Sequence, residues 1–200
     1  GVVAINGAPA AGKTTLLYTM LDLLNTPEIS VATVEQSVAE ILPRVAQTDL
    51  AATGLSVGAA LRAALRTDPD AVLVDELGDS NTAAVAGAAA LRGLLIVATT
   101  TQADLLPQAT LTIRTALLRK LCDKKFLQKS KLTRAEADVL EDAGANFANV
   151  LAALKEEDKI AKDTAWKDIT FARASGCSEC DGGYKGLLGV QEVAAQEGVV

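Results

Sequence analysis

The residues best suited to chemistry lie near the amino end. Gly7-Ala8-Pro9-Ala10-Ala11-Gly12-Lys13-Thr14 spells G-x-x-x-x-G-K-T, directly behind the apolar run Val2-Val3-Ala4-Ile5 and ahead of Thr15-Leu16-Leu17-Tyr18. Glycines at both ends let a loop wrap tightly, so that successive backbone N–H groups point inward at phosphate oxygens. A helix opening at Lys13 adds unpaired N–H donors and the positive end of its dipole. Lys13 then brings a point charge to the outer phosphates, and the Thr14 hydroxyl is a ligand for Mg²⁺. Gly7, Ala10, Ala11, Gly12, Lys13, Thr14 and Thr15 are therefore the expected cradle of a nucleoside triphosphate. The plainer alternative is a glycine turn between strand and helix. The strand–loop–helix context favours the cradle.

A second candidate group follows at Val72-Leu73-Val74-Asp75-Glu76, an apolar run ending in two carboxylates. Ligands of open α/β sheets collect at the carboxyl ends of the strands, so these acids would face the triphosphate. Asp75 could hold Mg²⁺ through water, and Glu76 could orient or deprotonate an attacking water. By itself such a pair is a solvated strand end; behind a phosphate loop it points to hydrolysis rather than binding alone.

These groups need a scaffold, and the chain can supply one. Its 200 residues, 50% apolar and 3% aromatic, suffice for an α/β core and exclude disorder. Val2–Ile5, Val31–Val34, Ala71–Val74 and Leu94–Thr99 read as buried strands. Lys13–Leu24, Gly58–Arg66 and Thr82–Leu91 read as helices, with residues 41–57 turn-like between them. Strands alternating with helices imply a mainly parallel sheet with right-handed crossovers. After about residue 115 the character changes. Charged helical segments run from Leu117 to Ala165, with a capping box at Thr133–Glu136 and an apolar stripe of Phe147, Val150, Leu151 and Leu154 expected to pack a core. The expected organisation is a nucleotide-binding core over 1–115 and a small helical C-terminal subdomain over 116–200 with a cysteine-containing turn.

A net charge of −6 without a basic block argues against a nucleic-acid partner. The apolar stretch Ala83–Ala98 is broken by Arg92 and too short to span a bilayer. Three cysteines form no disulfide framework, which points to a reducing cytoplasm. A chain that opens at Gly1, already in a strand, reads as a fragment or a truncated homologue.

Several segments together resemble the ATPases of type II secretion and type IV pilus assembly, a branch of the hexameric RecA-like motors. The phosphate loop continues as Gly12-Lys13-Thr14-Thr15-Leu16-Leu17-Tyr18, and Thr33-Val34-Glu35-Gln36 is similar to the family's acidic "Asp box". Ala60-Leu61-Arg62 through Leu65-Arg66-Thr67-Asp68-Pro69-Asp70 looks like the segment leading into the Walker B strand. Gly176-Cys177-Ser178-Glu179-Cys180 and Gly183-Tyr184-Lys185-Gly186 resemble the family's second cysteine pair and tail. The resemblance implies a RecA-like fold, ATP and Mg²⁺ as ligands, and Glu35 assisting Glu76. It also implies a homo-oligomer, a hexamer in the family. The expected location is cytoplasmic, docked peripherally on the inner-membrane platform proteins of a secretion or pilus machine. Relatives carry an additional N-terminal domain at the subunit interface. Arg62 and Arg66 could reach phosphate or a neighbouring subunit, although such an i, i+4 pair is also ordinary solvated surface.

The departures from the pattern bear on activity. Gln36 and Ala39 replace acids of the Asp box, Asp75 replaces a glycine, and Gly78 replaces an arginine. Thr101 stands where the family has a histidine, in a chain with no histidine at all. The family's zinc site pairs two C-x-x-C motifs. Here Cys177 and Cys180 are intact, but Cys122-Asp123-Lys124-Lys125 lacks one ligand. Zn²⁺ on Cys122, Cys177 and Cys180, with Asp123 or water as the fourth ligand, competes with cysteines that merely fill a tight turn. Two functions follow: an ATP-hydrolysing motor core, and a nucleotide-binding scaffold that has lost turnover.

Overall fold

The computed structural model describes residues 1–102, 104–122, 128–142 and 144–195. A seven-stranded sheet runs in the order β3-β2-β4-β5-β1-β6-β9. Its strands are β1 (Val2–Asn6), β2 (Val31–Glu35), β3 (Val45–Asp49), β4 (Ala71–Val74), β5 (Leu95–Thr100), β6 (Leu111–Leu121) and β9 (Tyr184–Ala195). The pairs β3–β2, β2–β4, β4–β5, β5–β1 and β1–β6 are all parallel. The helices between them are α1 (Lys13–Leu24), α2 (Leu50–Thr53), α3 (Val57–Ala64) and α4 (Ser80–Ala90).

Alternation along the strands divides the core between the two faces of the sheet. Ile5, Ala71, Leu73 and Val97 meet Leu17 and Leu21 of α1 on one face. Val2, Ala4, Val72, Val74, Ile96 and Ala98 meet α3 and α4 on the other. β4 is buried at all four positions, which is why it reads as an unbroken apolar run. On α4 the buried residues include Ala83, Ala86 and Ala89, small enough to bring the helix close to the sheet.

By packing, the chain divides into two units, Gly1–Leu118 with the segment from Leu188 onward, and Arg119–Leu187. The second unit contains β7 (Gln128–Ser130) paired antiparallel with β8 (Phe171–Arg173), and helices α5 (Arg134–Asp142) and α6 (Phe147–Glu156). The capping box forms: Glu136 accepts from Thr133 N and Oγ1, each at 2.9 Å, and Thr133 Oγ1 accepts from Glu136 N at 3.4 Å. Arg173 reaches the same carboxylate from β8.

Three details differ from the sequence reading. Val45–Asp49, expected as a turn, is the edge strand β3; it is only half-buried, so it lacks the apolar run that marks an interior strand. Leu117–Leu121, expected as helix, extends β6, because pairing within the sheet overrides the local helical preference of its leucines and basic residues. The stripe on α6 is shallower than a core: Phe147 stacks on Trp166 at 4.3 Å between ring centroids, while Val150 is exposed.

The Arg173 guanidinium, followed by Thr133, holds the Glu136 carboxyl down to about 2, against 4.5 ordinarily. A depressed carboxylate stabilises the fold above its unfolded pKa and loses that contribution as pH falls through its folded one. The Glu136→Gln variant should therefore be less stable than the parent at neutral pH. That gap should narrow from about pH 4.5 towards pH 2 in urea titrations.

Candidate nucleotide-binding site

Three neighbouring strands end together. Gly7 follows β1, Asp75 and Glu76 follow β4, and Thr99 and Thr100 close β5, with Thr101 just beyond. The loop after β1 rests on β6 so closely that a Cβ on Gly7 would stand 2.6 Å from the Thr115 carbonyl oxygen and 3.0 Å from Ala11 Cβ. Thr115 Oγ1 donates to the Ala11 carbonyl at 3.2 Å, pinning the loop from below. Gly12 turns the chain into α1 with φ of 87°, and no side chain caps the helix. The first N–H groups of α1 are thus left for a ligand, the anion-binding condition expected from the motif.

A cavity of about 500 Å³ opens over this loop, lined by residues 9–15, Gln36, Asp75, Glu76 and Leu117. Lys13 is buried to 8% exposure and donates to the carbonyls of Gly7 at 2.9 Å and Ala8 at 3.2 Å. Its Nζ also lies 3.6 Å from Glu76 Oε2. Thr14 Oγ1 donates to Asp75 Oδ1 at 3.2 Å, and Thr99 Oγ1 donates to the same oxygen at 3.3 Å. The two expected Mg²⁺ partners are therefore adjacent, and their oxygens are the hard donors that ion prefers. Burial, ahead of every other influence, pushes the Asp75 carboxyl up; the Thr14 and Thr99 hydrogen bonds oppose it.

Glu76 adopts φ of 59°, a left-handed conformation uncommon outside glycine. Thr99 holds that turn twice: its hydroxyl accepts from Glu76 N at 2.7 Å and its carbonyl from Leu77 N at 2.7 Å. Thr101 Oγ1 donates to Glu76 Oε1 at 3.3 Å. The Thr101 hydroxyl thus touches the candidate base itself.

Glu35 lies elsewhere. At 2% exposure it sits behind the cavity wall, accepting from Tyr18 Oη, Thr33 Oγ1 and Gln47 Nε2, while its neighbour Gln36 lines the cavity. Burial first, and the Glu35 carboxylate next, push the Tyr18 phenol up to about 12. Arg62 lines a second cavity of about 690 Å³ together with Ser56, Asp79 and again Gln36, whereas Arg66 does not. Of the groups that matter here, Thr99 and Leu117 went unnoticed in the sequence. The register Val74↔Ala98 sets Thr99 beside Asp75, a signal available only once strand order is known.

In the second unit the thiols of Cys122, Cys177 and Cys180 lie within 4.8 Å of one another. Cys122 Sγ is 3.9 Å from Cys177 Sγ, which is 2.7 Å from Cys180 Sγ. Asp123, Lys124 and Lys125 lie outside the described residues. Among the described residues no helix is long and apolar enough to cross a membrane.

A mainly parallel sheet with a phosphate-loop motif behind its first strand, and two acids at the same edge, defines a RecA-like P-loop protein. Comparison with known proteins narrows the class. The family described as type II/IV secretion system protein matches residues 1–199, and the chain belongs to it. The chain is 31% identical to the type IV pilus assembly ATPase PilB of Pseudomonas aeruginosa, covering 96% of this chain and 34% of that protein. It is 30% identical to the type II secretion system ATPase E of Vibrio cholerae, covering 96% and 38% respectively. It thus spans about a third of the length of the curated relatives it matches. Among solved structures, the Legionella pneumophila ATPase DotB superposes with a TM-score of 0.54 at 22% identity, over 80% of this chain and 52% of that one. The pilus retraction motor PilT does so with 0.53 at 22%, over 78% and 54%. These two establish the shared fold.

Two outcomes test the geometry. Gly7→Ala should cost about 1–3 kcal/mol in urea unfolding, because the contacts opposing a Cβ include a backbone oxygen that cannot yield like a flexible side chain. Asp75→Asn should raise the melting temperature of the nucleotide-free chain at neutral pH. A raised carboxyl favours the fold below its unfolded pKa and loses that as pH rises through its folded pKa, so the variant's gain should vanish below about pH 3.8.

Proposed function

We propose that this chain is the ATP-hydrolysing motor core of a type II secretion or type IV pilus assembly ATPase, acting in an oligomeric ring of six. The observation that supports it best is the convergence of Lys13, Thr14, Asp75 and Glu76 on one cavity over an uncapped helix N-terminus. The loop N–H groups and the helix dipole bind the phosphates of ATP. Lys13 exchanges its bonds to the Gly7 and Ala8 carbonyls for the outer phosphates. In doing so it leaves Glu76, which is then free to accept a proton from the attacking water. Thr101 orients that carboxylate. Thr14, and Asp75 through water, would hold Mg²⁺, which would supply positive charge beside the phosphates. Glu35 acts at one remove, bracing Tyr18 of α1 and adding negative charge behind Asp75.

The relatives' names support service in a secretion or pilus assembly machine; the finer proposal is that its partners are inner-membrane platform proteins, with the chain cytoplasmic and docked peripherally upon them. In the second unit Cys122, Cys177 and Cys180 would hold Zn²⁺ with a fourth ligand from outside the thiol set. Thiolates are the donors such a site uses, and the close Cys177–Cys180 approach would open to span the ion. A second reading is a nucleotide-binding scaffold without turnover. It is favoured by Gln36 in place of an acid on the cavity wall and by the Lys13–Glu76 ion pair.

Calorimetric ATP binding and phosphate release, measured with Mg²⁺ across a range of chain concentrations, separate the readings. Lys13→Ala should abolish binding. Glu76→Gln should bind ATP like the parent while losing turnover by about a hundredfold or more. Release that rises faster than linearly with concentration supports the ring. Binding with no release at any concentration leaves the scaffold, and undiminished hydrolysis by Glu76→Gln removes the role given to that residue.

A further inference from the structure

One side chain on the phosphate cavity is unsuited to phosphate. β6 places Ile113 and Thr115 on the face beneath the loop, where both are buried. Two residues on, the same alternation carries Leu117 to the same face, past the end of the loop, and there it is 39% exposed. An exposed leucine is ordinary by itself. This one lines the cavity with Thr14 and Thr15, and its neighbours on two sides lack side chains. Its Cδ2 methyl lies 3.6 Å from where a Gly12 Cβ would stand and 3.9 Å from that position on Gly189, so the side chain packs beside both glycines and keeps its remaining surface towards the cavity.

The sheet order gives the position a direction. β4, with Asp75 and Glu76 at its end, lies on one side of β1 and its loop, and β6 lies on the other. The two strands are separated by three strand spacings, about 14 Å. A triphosphate whose outer phosphate meets Lys13 and Glu76 therefore runs its inner phosphate and nucleoside towards β6. A flat, weakly hydrated ring at that end needs an apolar surface rather than a charge.

We infer that Leu117 is the platform on which the nucleobase of a bound nucleoside triphosphate lies. This rests on the nucleotide reading of the cavity. Contact is with the face of the ring, so purines share it whatever their exocyclic groups.

The test compares ATP, GTP and inorganic tripolyphosphate binding to the parent chain, Leu117→Ala and Leu117→Met. Leu117→Ala should weaken ATP and GTP in parallel, by about tenfold, and leave tripolyphosphate unchanged. Leu117→Met, which keeps an apolar surface, should bind all three like the parent. Unchanged ATP affinity in Leu117→Ala overturns the inference. An equal loss for ATP and tripolyphosphate does so too, because the side chain would then act by shaping the loop. A parent chain that binds none of the three ligands overturns the nucleotide reading itself, a separate failure.

Discussion

The candidate site depends on hydrogen-bonded register among parallel strands. β1, β4 and β5 carry Gly7, Asp75, Glu76, Thr99 and Thr101, and the pairings Val74↔Ala98 and Ala4↔Ala98 fix how far each strand reaches. A slip of one residue in any of them would turn its core residues to the opposite face and withdraw its polar end from the cavity. Burial of β4 on both faces makes such a slip costly, so the apolar core and the polar edge are set by the same pairing. The loop is placed as rigidly, because the missing side chain at Gly7 lets it lie against β6.

Within that frame the charges are arranged in opposition. Lys13 is nearly buried and satisfied by two backbone carbonyls, with Glu76 as counter-ion. Asp75 is held by two hydroxyls yet pays for desolvation in its raised proton affinity. A cation partnered mainly by neutral carbonyls exchanges them readily for phosphate oxygen, whereas a desolvated carboxylate gains from a divalent ion. Both tensions favour the same occupant. Glu35 illustrates the contrary case: three donors already satisfy it, so it can support the site but has no open face towards it.

Much of this was legible in the sequence, for identifiable reasons. The phosphate loop declares itself because glycine and lysine positions are dictated by backbone geometry and charge, and the strand ends at Asp75 because burial leaves β4 wholly apolar. β3 was not legible: an edge strand buries half its surface and carries no strong pattern. The end of β6 misled because leucines and basic residues suit a helix as well as a strand, and its sheet neighbours are far away in sequence. Thr99 and Leu117 could not be singled out, since their importance comes from what the topology sets beside them. Residues 123–127, next to Cys122, lie outside the described structure, so Asp123 is an expectation from the sequence alone.

The contact between Thr101 and Glu76 has a consequence for how the molecule meets its surroundings. A ring nitrogen at that position would gain or lose its proton with ordinary swings in acidity and would change its pull on the carboxylate each time. An alcohol has no such proton to exchange. With a hydroxyl at that position, and no histidine among the 200 residues, the contact brings no imidazole proton to the carboxylate.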